Sequence, residues 1–241
     1  MNEQRIPKTI HLCWFGGGDY PVEVKACLDT WRRILPDYKI RVWTGDDARA
    51  LGIPYVNEAL DCRKWAFACD VVRFYAVYTE GGVYMDSDIF LYSRFDDIAA
   101  TDADFITFHE KCDPDHEDFG LQAAMFMGVK GNRFCREMLD HYAKEHFLNE
   151  DGSMNLLISP MRMRDVASRH GYVAEDREMR LDILTVLPTR RLKPRKRYPR
   201  SKDCIGEHRV VGSWRKRPLG RRITKRIEHL WRAVRYAICH K

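Results

Sequence analysis

Residues 80–90, EGGVYMDSDIF, constrain the fold more than any other stretch. The preceding segment, CRKWAFACDVVRFYAVYTE, places Trp65, Ala68, Val72, Tyr75 and Ala76 on one helical face. Gly81 and Gly82 end that helix. Val83, Tyr84 and Met85 then read as a buried strand, and Asp86 and Asp88 flank one serine at its end. A helix feeding a buried strand belongs in a layered α/β fold. Carboxylates at the end of such a strand are expensive unless they are paired or hold a metal.

The rest of the chain continues the pattern. KTIHLCWFGGG reads as a strand stopped by Gly16, Gly17 and Gly18. From Pro21, Val24, Leu28, Trp31 and Leu35 recur at helical spacing, and YKIRVWT reads as a second strand closed by GDD. DADFITF, LQAAMFMGV and LDILTVLP are further strand candidates. NRFCREMLDHYAKEHF and SPMRMRDVASRHG are helix candidates, the latter with Pro160 in its first turn. The chain shows no internal repeat and no low-complexity tract.

At 241 residues and 45% apolar, the chain suits one large domain, or one domain with an appendage. The net charge of +6 is split: residues 190–241 carry 19 Lys/Arg against 3 Asp/Glu, net +16, and residues 1–189 carry 22 against 32, net −10. An acidic body with a basic tail expects an anionic partner for the tail. The start of the chain lacks the charged and apolar regions of a signal peptide, and no run of about 18 apolar residues could span a membrane. The eight cysteines form no C-x-x-C pair and no zinc-like Cys/His cluster. Free, mostly buried thiols in a reducing, cytoplasmic compartment are expected.

In a regular strand, residues i and i+2 point the same way, so Asp86 and Asp88 could grip a hard cation such as Mg²⁺ or Mn²⁺. Two acids leave coordination sites open for water and for the oxygens of a diphosphate. Two surface acids in a turn are the plainer alternative. Asp70 and Arg73 lie three apart on one face of the preceding helix. They read either as a local ion pair of little worth or as polar recognition of a sugar. Their place in an otherwise apolar helix that leads into the acids favours recognition.

IPKTIHLCWFGG, FACDVVRFYAVYTEGGVYMDSD and HRVVGSW together resemble glycosyltransferase family 32, the DXD sugar-binding type, which contains initiating mannosyltransferases and bacterial capsule and lipopolysaccharide enzymes. The resemblance covers residues 5–95, fades in the middle and returns at 207–214. It implies a GT-A fold: a Rossmann-like mixed sheet flanked by helices, forming a catalytic domain over residues 1–214. It also implies that Trp14 stacks on the nucleotide base, that Asp70 and Arg73 bind donor sugar hydroxyls, and that Tyr84 packs near the ribose. Asp86 would contact ribose or metal and Asp88 the metal directly, with His208 completing the shell. Ser213 and Trp214 would close over the diphosphate, with Arg215 or Lys216 adding positive charge. Gln122 is a candidate for the reactive face of the donor. Cys69 before Asp70, two valines after it, and the added Gly16–18 loop depart from the family pattern and leave the donor nucleotide open.

The implied reaction is metal-dependent, retaining transfer of a sugar from a nucleoside diphosphate, UDP foremost, to a glycan or lipid-linked glycan in surface polysaccharide synthesis. The two-carboxylate logic of glycoside hydrolysis does not transfer, because here the acids serve the metal. A degenerate family member working through its basic tail is the main alternative. A phosphohydrolase is disfavoured, because its Asp-x-Asp motif belongs earlier in the chain. The tail, RRITKRIEHLWRAVRYAI, reads as an amphipathic helix within residues 215–241. It could pack on the domain, lie on an anionic membrane surface or track nucleic acid. The membrane reading, with residues 219–241 peripheral on the inner face of the cell membrane, is the expectation, and nucleic acid is not. HEKCDPDHEDFG is expected to be a mobile acceptor-side loop.

Overall fold

The structure, a computed structural model, describes residues 5–110, 120–193 and 199–209. Two parallel pairings build its spine. β1 (Thr9–Cys13) is followed by α1 (Val22–Ile34) and β2 (Lys39–Trp43), and β1 pairs parallel with β2. After the short α2 (Gly45–Ala50) and α3 (Pro54–Asp61), α4 (Trp65–Glu80) crosses back and delivers β3 (Gly82–Met85) parallel to the other edge of β1. Beyond Asp86 and Asp88 come β4 (Ile89–Leu91), α5 (Asp96–Ala99), β5 (Phe105–Glu110), β6 (Gly120–Leu121) and β7 (Met125–Gly128). The chain then adds α6 (Arg133–Tyr142), α7 (Ser159–Ser168), β8 (Met179–Arg180), β9 (Thr185–Leu187), β10 (Leu192–Lys193) and β11 (Gly206–His208).

The main sheet runs β2-β1-β3-β7-β5-β9-β8, with β6 attached to β5. It is mixed: β7 lies antiparallel between β3 and β5, β9 parallel to β5, and β8 antiparallel to β9. Alternate side chains enter opposite layers. Tyr84 and Phe126 face the core under α4 and α6, whereas Val83, Met85, Met125 and Met127 face the core under α1. Stacked Phe74–Phe126 and Phe105–Phe134 rings tie α4 and α6 to the sheet. The α/β class and the mixed, helix-flanked sheet expected from the sequence are present. Among the described residues no helix is long and apolar enough to cross a membrane.

Three local expectations change. VYMDSDIFLY is not one strand interrupted by acids. β3 ends at Met85, a turn closed by the Ile89 N–H on the Asp86 carbonyl (3.0 Å) follows, and β4 enters a separate sheet, β10-β11-β4. LQAAMFMGV divides into β6 and β7, with residues 122–124 between them. GDD opens the unexpected α2, held by a capping box in which Thr44 and Asp47 bond each other's backbone N–H. α3 likewise starts on a proline, Pro54, in its first turn. Both helices are too short for a readable apolar period. The expected C-terminal helix, Ser213, Trp214, Arg215 and Lys216, and residues 111–119 of the expected mobile loop lie outside the described residues.

Gly82 shows why β3 opens on a glycine. Its φ is +111°, and a Cβ there would lie 2.5 Å from the Thr9 carbonyl oxygen and 3.2 Å from His11 Nε2. The missing side chain is what allows β3 to approach β1. Gly52 is also left-handed, at φ +66°, but faces open space. We expect Gly82→Ala to cost about 3 kcal/mol or more and Gly52→Ala only about 1 kcal/mol. Urea denaturation of the two variants checks this; equal losses would mean that the contact with β1 does not matter.

Candidate functional site

The site gathers where β1 and β3 end. Because the two strands are parallel, Trp14, after β1, and Asp86, after β3, emerge at the same sheet edge. Carboxyl ends of parallel strands are where open α/β sheets bind ligands. Trp14 is half-buried, packs against Tyr20 with ring centres 4.9 Å apart, and donates its indole N–H to the Gly18 carbonyl at 3.3 Å.

α4 supplies the buried charges. Arg73 Nη2 pairs with Asp70 Oδ1 at 2.9 Å and lies 3.7 Å from Asp86 Oδ1. Its Nη1 donates to the Ala123 carbonyl at 2.6 Å and its Nε to the Cys69 carbonyl at 3.2 Å, and its guanidinium lies over the Tyr84 ring at 4.9 Å. Asp70 and Arg73 are 7% and 5% exposed, so the pair is not a solvated surface bridge. Asp70 Oδ2 also accepts the Ser159 N–H, the first of α7, at 3.2 Å. A helix N-terminus favours that negative charge. Burial still pushes Asp70 up to about 6 against the pull of Arg73.

Tyr84 is buried beneath the acids and donates its hydroxyl proton to Asp86. Burial raises Asp86 above the usual carboxylate range; Arg73 opposes the rise and Asp88 adds to it. Asp86 and Asp88 converge through the turn, not through the two-residue repeat of a strand. The second sheet completes the cluster. β11 lies antiparallel to β4, setting His208 opposite Ile89, and the Arg209 N–H donates to the Asp88 carbonyl at 3.0 Å. His208 Nε2 then stands 3.4 Å from Asp88 Oδ1, and one ligand atom from each of Asp86, Asp88 and His208 lies within 4.8 Å of the others.

These three residues fit a hard divalent cation. They offer two carboxylates and an imidazole, and His208 Nδ1 is buried without a hydrogen-bond partner. Burial disfavours charge on His208, but Asp88 and Asp86 outweigh it and hold the imidazole up to about 9. The site therefore stores positive charge on a proton where a cation would supply it.

Residues 21–104 match the protein family described as glycosyltransferase sugar-binding region containing DXD motif. That span includes Asp70, Arg73, Tyr84, Asp86 and Asp88.

The segment resembles a DXD-type sugar-binding region.

A curated relative, inositol phosphoceramide mannosyltransferase 3 of Schizosaccharomyces pombe, is 32% identical over 92 residues, 35% of this chain. The match spans 24% of that relative's own length. Among solved structures, PaToxG glycosyltransferase superposes with a TM-score of 0.51 at 17% identity, covering 68% of each chain, which supports the shared GT-A fold. The match to a glycosyltransferase involved in the glycosylation of the major capsid of PBCV-1 covers 83% of this chain and 92% of that one, at a TM-score of 0.46 and 12% identity.

Around the DXD region the structure brings together Asp70, Arg73, Tyr84, Asp86, Asp88 and His208. Gln122 is buried between β6 and β7, its Oε1 accepting the Ala124 N–H at 3.0 Å. It neighbours Ala123, whose carbonyl Arg73 holds. The motifs did not point to Ser159 or to Arg162. Arg162 is fully buried, binds Glu145 and the Leu157 carbonyl, and so pins the chain that leads to Ser159. The only hint was Pro160 in a first helical turn.

A cation binds neutral imidazole, so its binding must displace the His208 proton. Below about pH 9 we expect Mn²⁺ affinity to rise with pH by up to tenfold per unit. His208→Ala should bind more weakly and lose that slope between pH 7 and 8.5. Calorimetric titrations across that range would show it; a wild-type affinity independent of pH would remove His208 from the metal shell.

Proposed function

We propose that the chain is a metal-dependent retaining glycosyltransferase of hexosyltransferase type. It moves a sugar from a nucleoside diphosphate sugar, UDP foremost, to a glycan or lipid-linked glycan in surface polysaccharide synthesis such as capsule or lipopolysaccharide. The observation that carries this reading is the convergence of Asp86, Asp88 and His208 from two sheets beside the buried Asp70–Arg73 pair. A scaffold has no use for five such groups at one sheet edge, which favours a working enzyme over a degenerate one.

Asp70 and Arg73 are positioned to bind the donor sugar: each spends part of its capacity on protein groups, which fixes its direction toward ligand hydroxyls. Trp14 offers a ring face for the nucleotide base. Asp86, Asp88 and His208 would hold Mn²⁺ or Mg²⁺, which when bound neutralises the charge growing on the departing diphosphate. Gln122 approaches the reactive face through the 122–124 connection, and Ser213, Trp214 and the basic pair Arg215 and Lys216 would close over the diphosphate. The name of the fission yeast relative supports a lipid-bearing acceptor. With it fits the placement of residues 219–241 as a basic helix on an anionic membrane at the cytoplasmic face.

Nucleotide sugars screened by thermal shift and product release, with and without Mn²⁺, test this on wild type and Asp88→Ala. One donor should stabilise the protein only with metal. Asp88→Ala should lose that effect and several kcal/mol of barrier reduction, roughly a hundredfold or more in rate. If no donor binds and the variant matches wild type, the acids are not a working metal site.

A further inference from the structure

Arg162 is taken completely out of water at a place where a helix least favours a cation. α7 begins at Ser159, so Arg162 lies in its first turn, where the helix dipole opposes positive charge. Its exposure is 0%. One carboxylate holds it there. Arg162 Nε donates to Glu145 Oε2 at 3.2 Å, Nη2 donates to the same oxygen, and Nη1 donates to the Leu157 carbonyl. Asn155 joins the group: its Nδ2 donates to Glu145 Oε2 at 3.2 Å and its Oδ1 accepts the Leu157 N–H at 3.2 Å. Both polar groups of the Leu157 backbone are therefore held by side chains that meet on one oxygen of Glu145. The Tyr55 and Tyr142 rings flank the guanidinium, with centres 5.6 and 4.9 Å away.

Two residues past this clamp the chain gives Asp70 a hydrogen bond. Pro160 has no N–H to offer. The N–H groups of Met161 and Arg162 turn to the Ile158 carbonyl at 3.1 and 3.5 Å. The Ser159 N–H is the donor that remains at the start of α7, and it goes to Asp70 Oδ2 at 3.2 Å. Asp70 Oδ1 is held by Arg73 Nη2 at 2.9 Å. Two oxygens held from two elements fix the plane of the carboxylate, and the α7 side of that grip depends on where Leu157 is clamped.

We propose that Arg162 and Glu145 are positioning residues for the donor sugar, acting through the Ser159 N–H on the Asp70 carboxylate. This rests on the reading of Asp70 as a donor-sugar contact. Releasing the clamp lets the start of α7 shift, Asp70 Oδ2 loses its donor, and the carboxylate turns about its remaining contact with Arg73. Its oxygens then meet the sugar hydroxyls out of line, and a displacement of about 1 Å at such a contact costs up to about a hundredfold in rate. The clamp bonds to none of Asp86, Asp88 and His208, so cation binding and recognition of the nucleotide alone are left as they were. The same coupling is visible without any ligand. A hydrogen bond to a carboxylate favours its charged form, so losing the Ser159 N–H raises Asp70. The charges that bear on Asp70 are Arg73 and Arg162, which lower it, and Asp86, which raises it. Removing the negative charge of Glu145 by itself could only lower Asp70. The two routes from Glu145 to Asp70 therefore have opposite signs.

The full chain is prepared as wild type, Glu145→Ala, and the milder Glu145→Gln and Arg162→Lys, which keep the fold if the alanine variant loses it. The Asp70 carboxyl is titrated by carbon NMR. Turnover of UDP-glucose and GDP-mannose with Mn²⁺, inhibition by UDP and GDP, and Mn²⁺ affinity are measured on the same samples. We expect Asp70 to titrate about one pH unit higher in Glu145→Ala, as loss of a hydrogen bond to a charged group implies, and to move the same way by less in the two milder variants. Donor kcat/KM should fall about tenfold or more, while inhibition by the free nucleotide and Mn²⁺ affinity stay within about twofold. Asp70 unmoved or lowered in every variant would overturn the coupling. A raised Asp70 with unchanged donor turnover would overturn its role in placing the sugar. Equal losses of donor turnover and nucleotide inhibition would mean general damage and would overturn the positioning role as well. If wild type turns over neither nucleotide sugar, the donor-sugar role of the clamp falls with the reading of Asp70 it rests on, while the Asp70 titration still decides the coupling.

Discussion

One buried guanidinium organises the site. Arg73 reaches the Asp70 carboxylate, the carbonyls of Cys69 and Ala123 and the Tyr84 ring, and stands near Asp86. A charge removed from water this completely is tolerable only when its donors are satisfied and its charge is balanced. Each partner comes from a different place: α4 itself, the connection between β6 and β7, and the end of β3. Satisfying Arg73 therefore fixes how the helix, the strand and the connection sit together. The same fork holds one Asp70 oxygen while the other accepts the first N–H of α7. Removing one member would leave an uncompensated buried charge, at a cost of about 3–5 kcal/mol. Site geometry and fold stability are here the same property.

The second constraint is the departure of β4 from the main sheet. If the chain had continued straight past Met85, Asp86 and Asp88 would have stayed in a ladder facing a neighbouring strand. The turn frees both carboxylates, and α1 secures its exit, with the Trp31 indole on the Ile89 carbonyl at 2.8 Å and Thr30 Oγ1 on the Leu91 N–H at 3.1 Å. β4 can then pair with β11, and that pairing carries His208 to the acids. The cluster is a meeting of two sheets, held by backbone ladders on both sides, which is why a histidine 120 positions from Asp88 stands beside it.

Much of this was legible in the residues. The long period of α4 survived because its apolar face is continuous, and the strands around it were short apolar runs bounded by glycine, as buried strands are. The acids stood out because an apolar environment makes charge conspicuous. α2 and α3 were not legible, since each is too short to show a period and only a cap or a proline marks its start. Ser159 was invisible for another reason: its backbone N–H, not its side chain, meets Asp70. Arg162 carried no signal of its own, because its burial depends on Glu145 and on the rings of Tyr55 and Tyr142.

The sequence by itself determined the α/β class, the strand–helix–strand opening, the Asp70–Arg73 spacing and the Asp-x-Asp at the end of a strand, because all of these depend on local period and on the cost of burying charge. Only the tertiary structure decided that the two acids sit in a turn, that β11 pairs with β4 and so carries His208 to them, and that Tyr84 lies beneath them. Those facts depend on strand pairing between distant segments and on helix packing over a sheet. Such pairings are set by the sum of many long-range contacts, and no short window of residues contains them.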